Sequence, residues 1–317
     1  MADITWGFVG LGNIGYPMAI NLRDKMPNRY NLIIHDVNYD AMNRFAEQVN
    51  GMRDRNAVDI QYSFDLADNA RQVAEKSTVL ITCLPSTRIV QDVYNSILNH
   101  GTLPQLAEKR LFIDCSTIDP VSSQEIGDML HKAGCGHFVD APMSGGVVGA
   151  RAGTLSFMFG SAENLEEQVK SALLLMGKSA RRMGNQGTGV CSKLANNYIL
   201  SINNIASAEA LNMARQWGLD LRALSDLIKS STGRCWPIDV NNPAPGVDES
   251  APASNGYAPG GTVNIIKKDL ELAMAGAKAS GALLPLAEKA HEVYCAVEEA
   301  YSGKDLSVVY QWLQNQA

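Results

Sequence analysis

The sequence predicts an α/β protein in two parts: an N-terminal doubly wound parallel sheet, joined by a long helix to an all-α C-terminal domain. Three observations carry this reading. Over the first half, short runs that are apolar throughout alternate with helical patterns, which marks strands covered by helices on both faces. A glycine-rich turn separates the first of these runs from the first helical pattern. From about residue 187 onward the strands cease and helical periodicity dominates. A length of 317 residues accommodates two domains, which we place at 1–184 and 185–317.

Taken in order, "ITWGFVG" (4–10) predicts a strand and "NIGYPMAINLRDKM" (13–26) a helix. "NLIIHD" (31–36) and "YDAMNRFAEQV" (39–49) repeat the pair, and residues 50–63 form a polar surface excursion. "STVLITCL" (77–84) precedes the helix 87–98, and "RLFIDCS" (110–116) precedes the helix 120–134. "GHFVDAP" (136–142) is a further strand, followed by "TLSFMFG" (154–160) and a helix near 162–176. The helical half is interrupted once, at 233–262, where five prolines and five glycines predict a long loop. A loop of that length inside a compact domain suggests a lid or a linker.

Composition excludes several classes. With 46% hydrophobic and 19% charged residues this is an ordinary globular chain, and a formal charge of −6 argues against nucleic acid and anionic membranes as partners. The six cysteines, at 83, 115, 135, 191, 235 and 295, form no C-x-x-C pair, which suits a reducing compartment. The five histidines occupy no metal-ligand spacing, so no metal is expected. The N-terminus enters a strand at once, leaving no room for a signal peptide, and no apolar stretch is long enough for a bilayer. The expectation is a soluble intracellular protein.

Gly10-Leu11-Gly12-Asn13-Ile14-Gly15 is a G-x-G-x-x-G in the context its mechanism requires, after a strand and before a helix. Gly10 permits the tight turn, Gly12 lets backbone approach a pyrophosphate, and Gly15 allows close strand–helix packing. Asp36 closes the next strand, where a carboxylate bonds a ribose 2′-hydroxyl and repels a 2′-phosphate. The pattern favours NAD over NADP.

Ser144-Gly145-Gly146 sets a hydroxyl beside two unshielded backbone N–H groups. That is either a nest for a carboxylate or a plain flexible turn. Lys193 in "KLANN" (193–197) is either a solvated helix lysine or one that turns inward. Asn197, four residues on, shares its helix face, so the two together could hold a hydroxyl and a carboxylate oxygen. Lys267 and Lys268 form another basic pair, and the pattern leaves open which of them turns inward.

Four segments then match one family: "FVGLGNIGYPMAINL", "DAPMSGGVVGARAGTL", "GTGVCSKLANN" and "KKDLELA". Over nearly its whole length the chain resembles the β-hydroxyacid dehydrogenase family. "SSTGRCWPIDVNNPAPGV" (230–247) narrows the resemblance to the branch that acts on 3-hydroxyisobutyrate. The resemblance implies a Rossmann-type N-terminal domain and an all-helical domain for substrate and oligomerisation, with the active site in a cleft. It implies that Lys193 is the catalytic lysine, and that Ser144, Gly145, Gly146 and Asn197 hold the substrate. Leu84, Pro85, Thr117 and Lys268 would line the cofactor site, with Thr117 also near the substrate. The family usually has Met at position 14 and Val at position 143, where Ile and Met stand here.

The implied reaction is NAD-dependent oxidation of (S)-3-hydroxyisobutyrate to methylmalonate semialdehyde, a step of valine breakdown, with Lys193 as general acid/base and the loop around Trp236 as a lid. The alternatives are a sibling reductase of glyoxylate, succinic or tartronate semialdehyde, and a noncatalytic NAD(H)-binding protein. A homodimer or homotetramer is expected. The compartment would be the cytoplasm of a bacterium, or the mitochondrial matrix for a eukaryotic form without its presequence.

Overall fold

The computed structural model describes residues 4–55, 62–99, 101–106 and 109–316. The chain divides into two compact units, Met1–Lys193 and Leu194–Ala317, so the division falls inside the long helix rather than at 184/185.

The N-terminal unit opens with β1 (Thr5–Val9), α1 (Gly15–Lys25), β2 (Asn31–His35) and α2 (Tyr39–Arg55). β1 and β2 run parallel with Phe8 opposite Ile34, and both side chains are fully buried. α2 continues through residues 50–55, where the sequence predicts the start of a polar excursion. Phe45, Val49 and Met52 explain the extension, since their spacing keeps one apolar helix face on the core. The centre of that excursion, 56–61, lies outside the described residues.

Next come β3 (Phe64–Leu66), α3 (Ala70–Lys76), β4 (Val79–Thr82), α4 (Thr87–Leu98), β5 (Arg110–Asp114), α5 (Pro120–Lys132) and β6 (Gly136–Asp140). The side chains of Asn69, Ser86 and Asp119 cap α3, α4 and α5 by accepting from Gln72, Ile89 and Ser122 N–H. The strands line up as β3-β2-β1-β4-β5-β6, all parallel. That is the doubly wound order, whose direction of winding reverses between β1 and β4 and opens a crevice at the strands' C-terminal ends. Fully buried Arg23 closes the opposite end of α1, donating to the carbonyls of Tyr30 at 2.6 Å and Ser63 at 2.9 Å.

Beyond β6 the sheet stops being parallel. β7 (Met143–Ser144), α6 (Gly146–Ala152), β8 (Leu155–Gly160), α7 (Glu166–Leu173) and β9 (Gly177–Gly184) complete the unit. β8 runs antiparallel to both β6 and β7. β9 rejoins β8 in parallel after α7 and carries Lys178, Arg181 and Arg182 along an edge that charge protects from further pairing.

α8 (Thr188–Gln216) leads from one unit into the other. The C-terminal unit is otherwise α9 (Leu221–Lys229), α10 (Trp236–Asp239), α11 (Val263–Ser280), α12 (Ala287–Tyr301) and α13 (Val309–Gln314). Its core joins Ile205 and Leu211 to Val263, Leu270, Val297 and Val309. Asn204, fully buried there, donates to Tyr294 Oη and to the Leu306 carbonyl.

The Pro/Gly-rich segment is packed into this core. It buries Ile238, Ala244, Ala251, Ala253 and Tyr257. Buried Asp305 accepts from Asn241 Nδ2 at 3.0 Å and from Gly261 N at 3.1 Å, and Tyr257 Oη donates to the Pro243 carbonyl. These anchors make it a strap rather than a loose lid. Trp236, 47% exposed, stands out at its start.

Candidate active site

The glycine-rich turn follows from the register of β1. Gly10 N donates to the His35 carbonyl, and its φ of +100° is one that L side chains avoid. A Cβ at Gly10 would lie 2.3 Å from the Cys83 carbonyl oxygen, and one at Gly15 would lie 2.0 Å from the Gly10 oxygen. Nothing lies within 4 Å of a Cβ at Gly12, which therefore faces open space where a pyrophosphate can approach. Leu11, Gly12, Asn13 and Tyr16, with Asn38 and Arg44, line a cavity of about 640 Å³ there. Ile14 precedes α1 and packs on the core with its side chain half-buried.

Asp36 closes this site from β2. One carboxylate oxygen accepts from Leu11 N at 2.5 Å and the other from Asn38 N at 2.7 Å. The acid is thus tied to the glycine turn itself, beside the cavity. The residues fit a dinucleotide: a turn with room for phosphate, the first turn of α1 behind it, and a fixed carboxylate for the ribose.

At the C-terminal ends of β4 and β5 two turns are locked together. Asp114 Oδ1 accepts from Thr82 Oγ1 at 2.7 Å and from Ser116 Oγ at 2.6 Å, and Ser116 Oγ in turn accepts from Leu84 N at 2.9 Å. Leu84-Pro85 is therefore held against the turn that carries Thr117. Lys193 enters this corner on the first turns of α8. It is only 8% exposed, and its Nζ donates to Thr117 Oγ1 at 2.5 Å. The solvated-lysine reading is excluded, and two of the residues expected from sequence meet directly.

The Ser144–Gly146 turn joins β7 to α6, with φ of +128° at Gly145 and +59° at Gly146. Ser144 pairs with Ser156 in the sheet, so the turn is fixed by strand register rather than loose.

In the C-terminal unit Asn197 and Lys268 converge on fully buried Asp269. Asn197 Nδ2 donates to Asp269 Oδ2 at 2.6 Å, and Lys268 Nζ stands 3.7 Å from Oδ1. Lys267 instead pairs with Glu298 at 2.6 Å, a bond that raises its pKa above the ordinary lysine value. This separates the two lysines that the sequence left equivalent.

Sequence reasoning missed the buried acids Asp114, Asp140 and Asp269, as well as Asp305 under the strap. For two of them a signal was present: "FID" and "FVD" each end an apolar strand on a carboxylate that is costly to bury without donors. Asp140 has its donors. Its Oδ1 accepts from Gly187 N at 2.6 Å and its Oδ2 from Val190 N at 2.8 Å. Burial pushes its pKa up to about 7, against the pull of those two N–H groups and with a further push from Asp114. Among the described residues no cluster of His, Cys, Asp or Glu could hold a metal ion.

A sheet wound in this order, with its glycine turn tied to Asp36 and a buried lysine beside Thr117, defines an NAD-binding oxidoreductase. The family model described as the NAD binding domain of 6-phosphogluconate dehydrogenase matches residues 5–188. A second, described as the NAD-binding of NADP-dependent 3-hydroxyisobutyrate dehydrogenase, matches residues 187–313. Mitochondrial 3-hydroxyisobutyrate dehydrogenase of Mus musculus is 38% identical over 98% of this chain and 87% of its own length. The Homo sapiens enzyme is 37% identical over the same shares. Among solved structures, Mycobacterium tuberculosis 3-hydroxyisobutyrate dehydrogenase with L-serine superposes with a TM-score of 0.87 at 32% identity, covering 98% of this chain and 99% of that one. The chain belongs to the 3-hydroxyisobutyrate dehydrogenase family.

Proposed function

We propose that this chain oxidises the primary alcohol of (S)-3-hydroxyisobutyrate to methylmalonate semialdehyde, with Lys193 as the proton carrier. The observation that carries the assignment is the buried Lys193 amine, set on Thr117 at the C-terminal ends of the dinucleotide-binding strands. NAD, held by Gly10–Gly15 and Asp36, supplies the hydride acceptor. Leu84, Pro85 and Lys268 complete the cofactor's surroundings. Lys193 takes the hydroxyl proton as the carbon is oxidised, a relay worth about 10²–10⁴-fold. Ser144, Gly145, Gly146 and Asn197 hold the substrate carboxylate and hydroxyl, with Thr117 beside the lysine. Clamping the acid end orients the reacting carbon, which supplies much of the rate. The relatives named as mitochondrial support work inside a cell, in a matrix or a bacterial cytoplasm, and the chain acts as a homodimer or homotetramer.

The test is Lys193→Ala assayed on a panel of 3-hydroxy acids with NAD and NADP side by side. The variant should lose nearly all turnover while binding NADH as the wild type does. Retained turnover removes Lys193 from its role. Wild-type preference for NADP, or for an acid without the 2-methyl group, overturns the substrate and cofactor assignment.

A further inference from the structure

We propose that Asp140 is a positioning residue for Lys193: its carboxylate clamps the start of α8 and so fixes the lysine amine against Thr117. The inference rests on the reading of Lys193 given above.

The clamp is visible in the hydrogen bonds. Oδ1 takes the N–H of Gly187, just before α8, and Oδ2 takes that of Val190, within its first turn. The helix has no acid of its own in that turn, and Thr188 Oγ1 donates to the Asn185 carbonyl instead of capping. The capping role falls to a strand residue far away in sequence, where a carboxylate also complements the helix dipole.

The surroundings are cut to admit this contact. A Cβ at Gly160 would stand 2.5 Å from Asp140 Oδ1, and one at Gly189 would stand 2.9 Å from Oδ2. Glycine at both positions lets the carboxylate reach the helix backbone.

Lys193 lies three residues beyond Val190, on the same side of the helix. A one-residue slip of α8 would swing its side chain by about 100° and move it about 1.5 Å along the axis. Thr117 is referenced to the same place, because Asp114 of the preceding strand end stands opposite Asp140 in the sheet. One pair of neighbouring strand ends therefore sets both partners of the Lys193–Thr117 bond. The ionisable groups that bear on Asp140 are Asp114 on β5 and Cys191 on α8. A proton on Asp140 converts one acceptor oxygen to a hydroxyl and reduces the grip from two bonds to one.

The test compares Asp140→Asn with wild type in kcat, KM, NADH affinity and pH profile. The amide accepts one N–H but sets its NH2 against the other. We expect kcat to fall at least tenfold while NADH affinity stays within threefold, because Gly10–Gly15 is untouched. The ionisation of Asp140 contributes to the acid limb of wild-type kcat, so in Asp140→Asn the limiting slope of that limb should drop by one. A folded variant with kcat near wild type, or an unchanged slope, overturns the proposal. If Asp140→Asn fails to fold, hydrogen exchange on the wild type decides. Protection at Gly187 and Val190, corrected for intrinsic rate, should fall from pH 8 to pH 6 while that of Asn204 holds, and constant protection overturns the clamp. An active Lys193→Ala sinks the parent reading, whereas an inactive Lys193→Ala beside a fully active Asp140→Asn sinks this one alone.

Discussion

At the scale of single residues, the same carboxyl is asked for two things that oppose each other. Asp140 must be ionised to accept two backbone N–H groups, yet burial raises its pKa from the ordinary carboxylate range to about 7. A raised carboxyl pKa means that the folded state binds the proton more tightly than the unfolded chain does. Its contribution to stability is therefore full below about pH 4 and is lost as pH rises through 7, a change of at most about 4 kcal/mol. Stability and activity should move in opposite directions over this window. Urea unfolding of wild type and Asp140→Asn at several pH values isolates the effect, because every other titrating group cancels in the difference. Wild-type stability relative to the variant should decrease from pH 5 to pH 8, and an increase would show that the carboxylate is stabilised rather than strained by its site.

At the scale of elements, the strap over 233–262 offers the clearest structural prediction. The Asp305 carboxylate links two distant parts of the strap, through Asn241 and Gly261, and also accepts from Ser307 N and Oγ. Asp305→Ala leaves buried donors without acceptors, each costing about 1–3 kcal/mol. A loss on the order of 3–5 kcal/mol in denaturant unfolding is expected, with NADH affinity unchanged. A loss below 1 kcal/mol would mean that apolar burial alone holds the strap.

The strap also shows where sequence stops being informative. Proline and glycine content signals a loop, but the apolar residues inside it, Ile238, Ala244, Ala251 and Tyr257, show no period that announces burial. The long strands and helices of the sheet were legible because their pattern repeats. β3 has three residues and α3 seven, too few for a period to stand out, and their positions are set by pairing with β2 and packing under β1. β7 and α6 hide in a Ser-Gly-Gly turn, whose backbone angles decide their geometry. In the site, Gly10–Gly15 and Asp36 were legible from residue chemistry and spacing, which left Lys193 either solvated or turned inward, and only family likeness gave it a role. Thr117 entered only through family likeness, as a residue lining the cofactor site near the substrate. Its bond to Lys193 was not legible, since it depends on a contact 76 residues away along the chain.

At the scale of the molecule, two of the hydrophobic clusters among the described residues lie in different units and share no residue. One joins Phe8, Ile34, Ile81 and Phe159 within the first unit, and the other joins Ile205, Val263, Tyr294 and Val309 within the second. Only α8 runs through both units. The dinucleotide turn and Asp36 belong wholly to the first. A ligand stabilises whatever must be folded to bind it, and at 100 times Kd the gain is about 2.7 kcal/mol. For a unit of this size that corresponds to a rise of roughly 5–10 °C in its transition temperature. We therefore expect two calorimetric transitions without cofactor. Saturating NADH should move chiefly the one belonging to the first unit, which holds the glycine turn and Asp36, and move the second far less, through Lys268. A single transition that shifts as a whole would show instead that the continuous α8 couples the two cores into one cooperative unit.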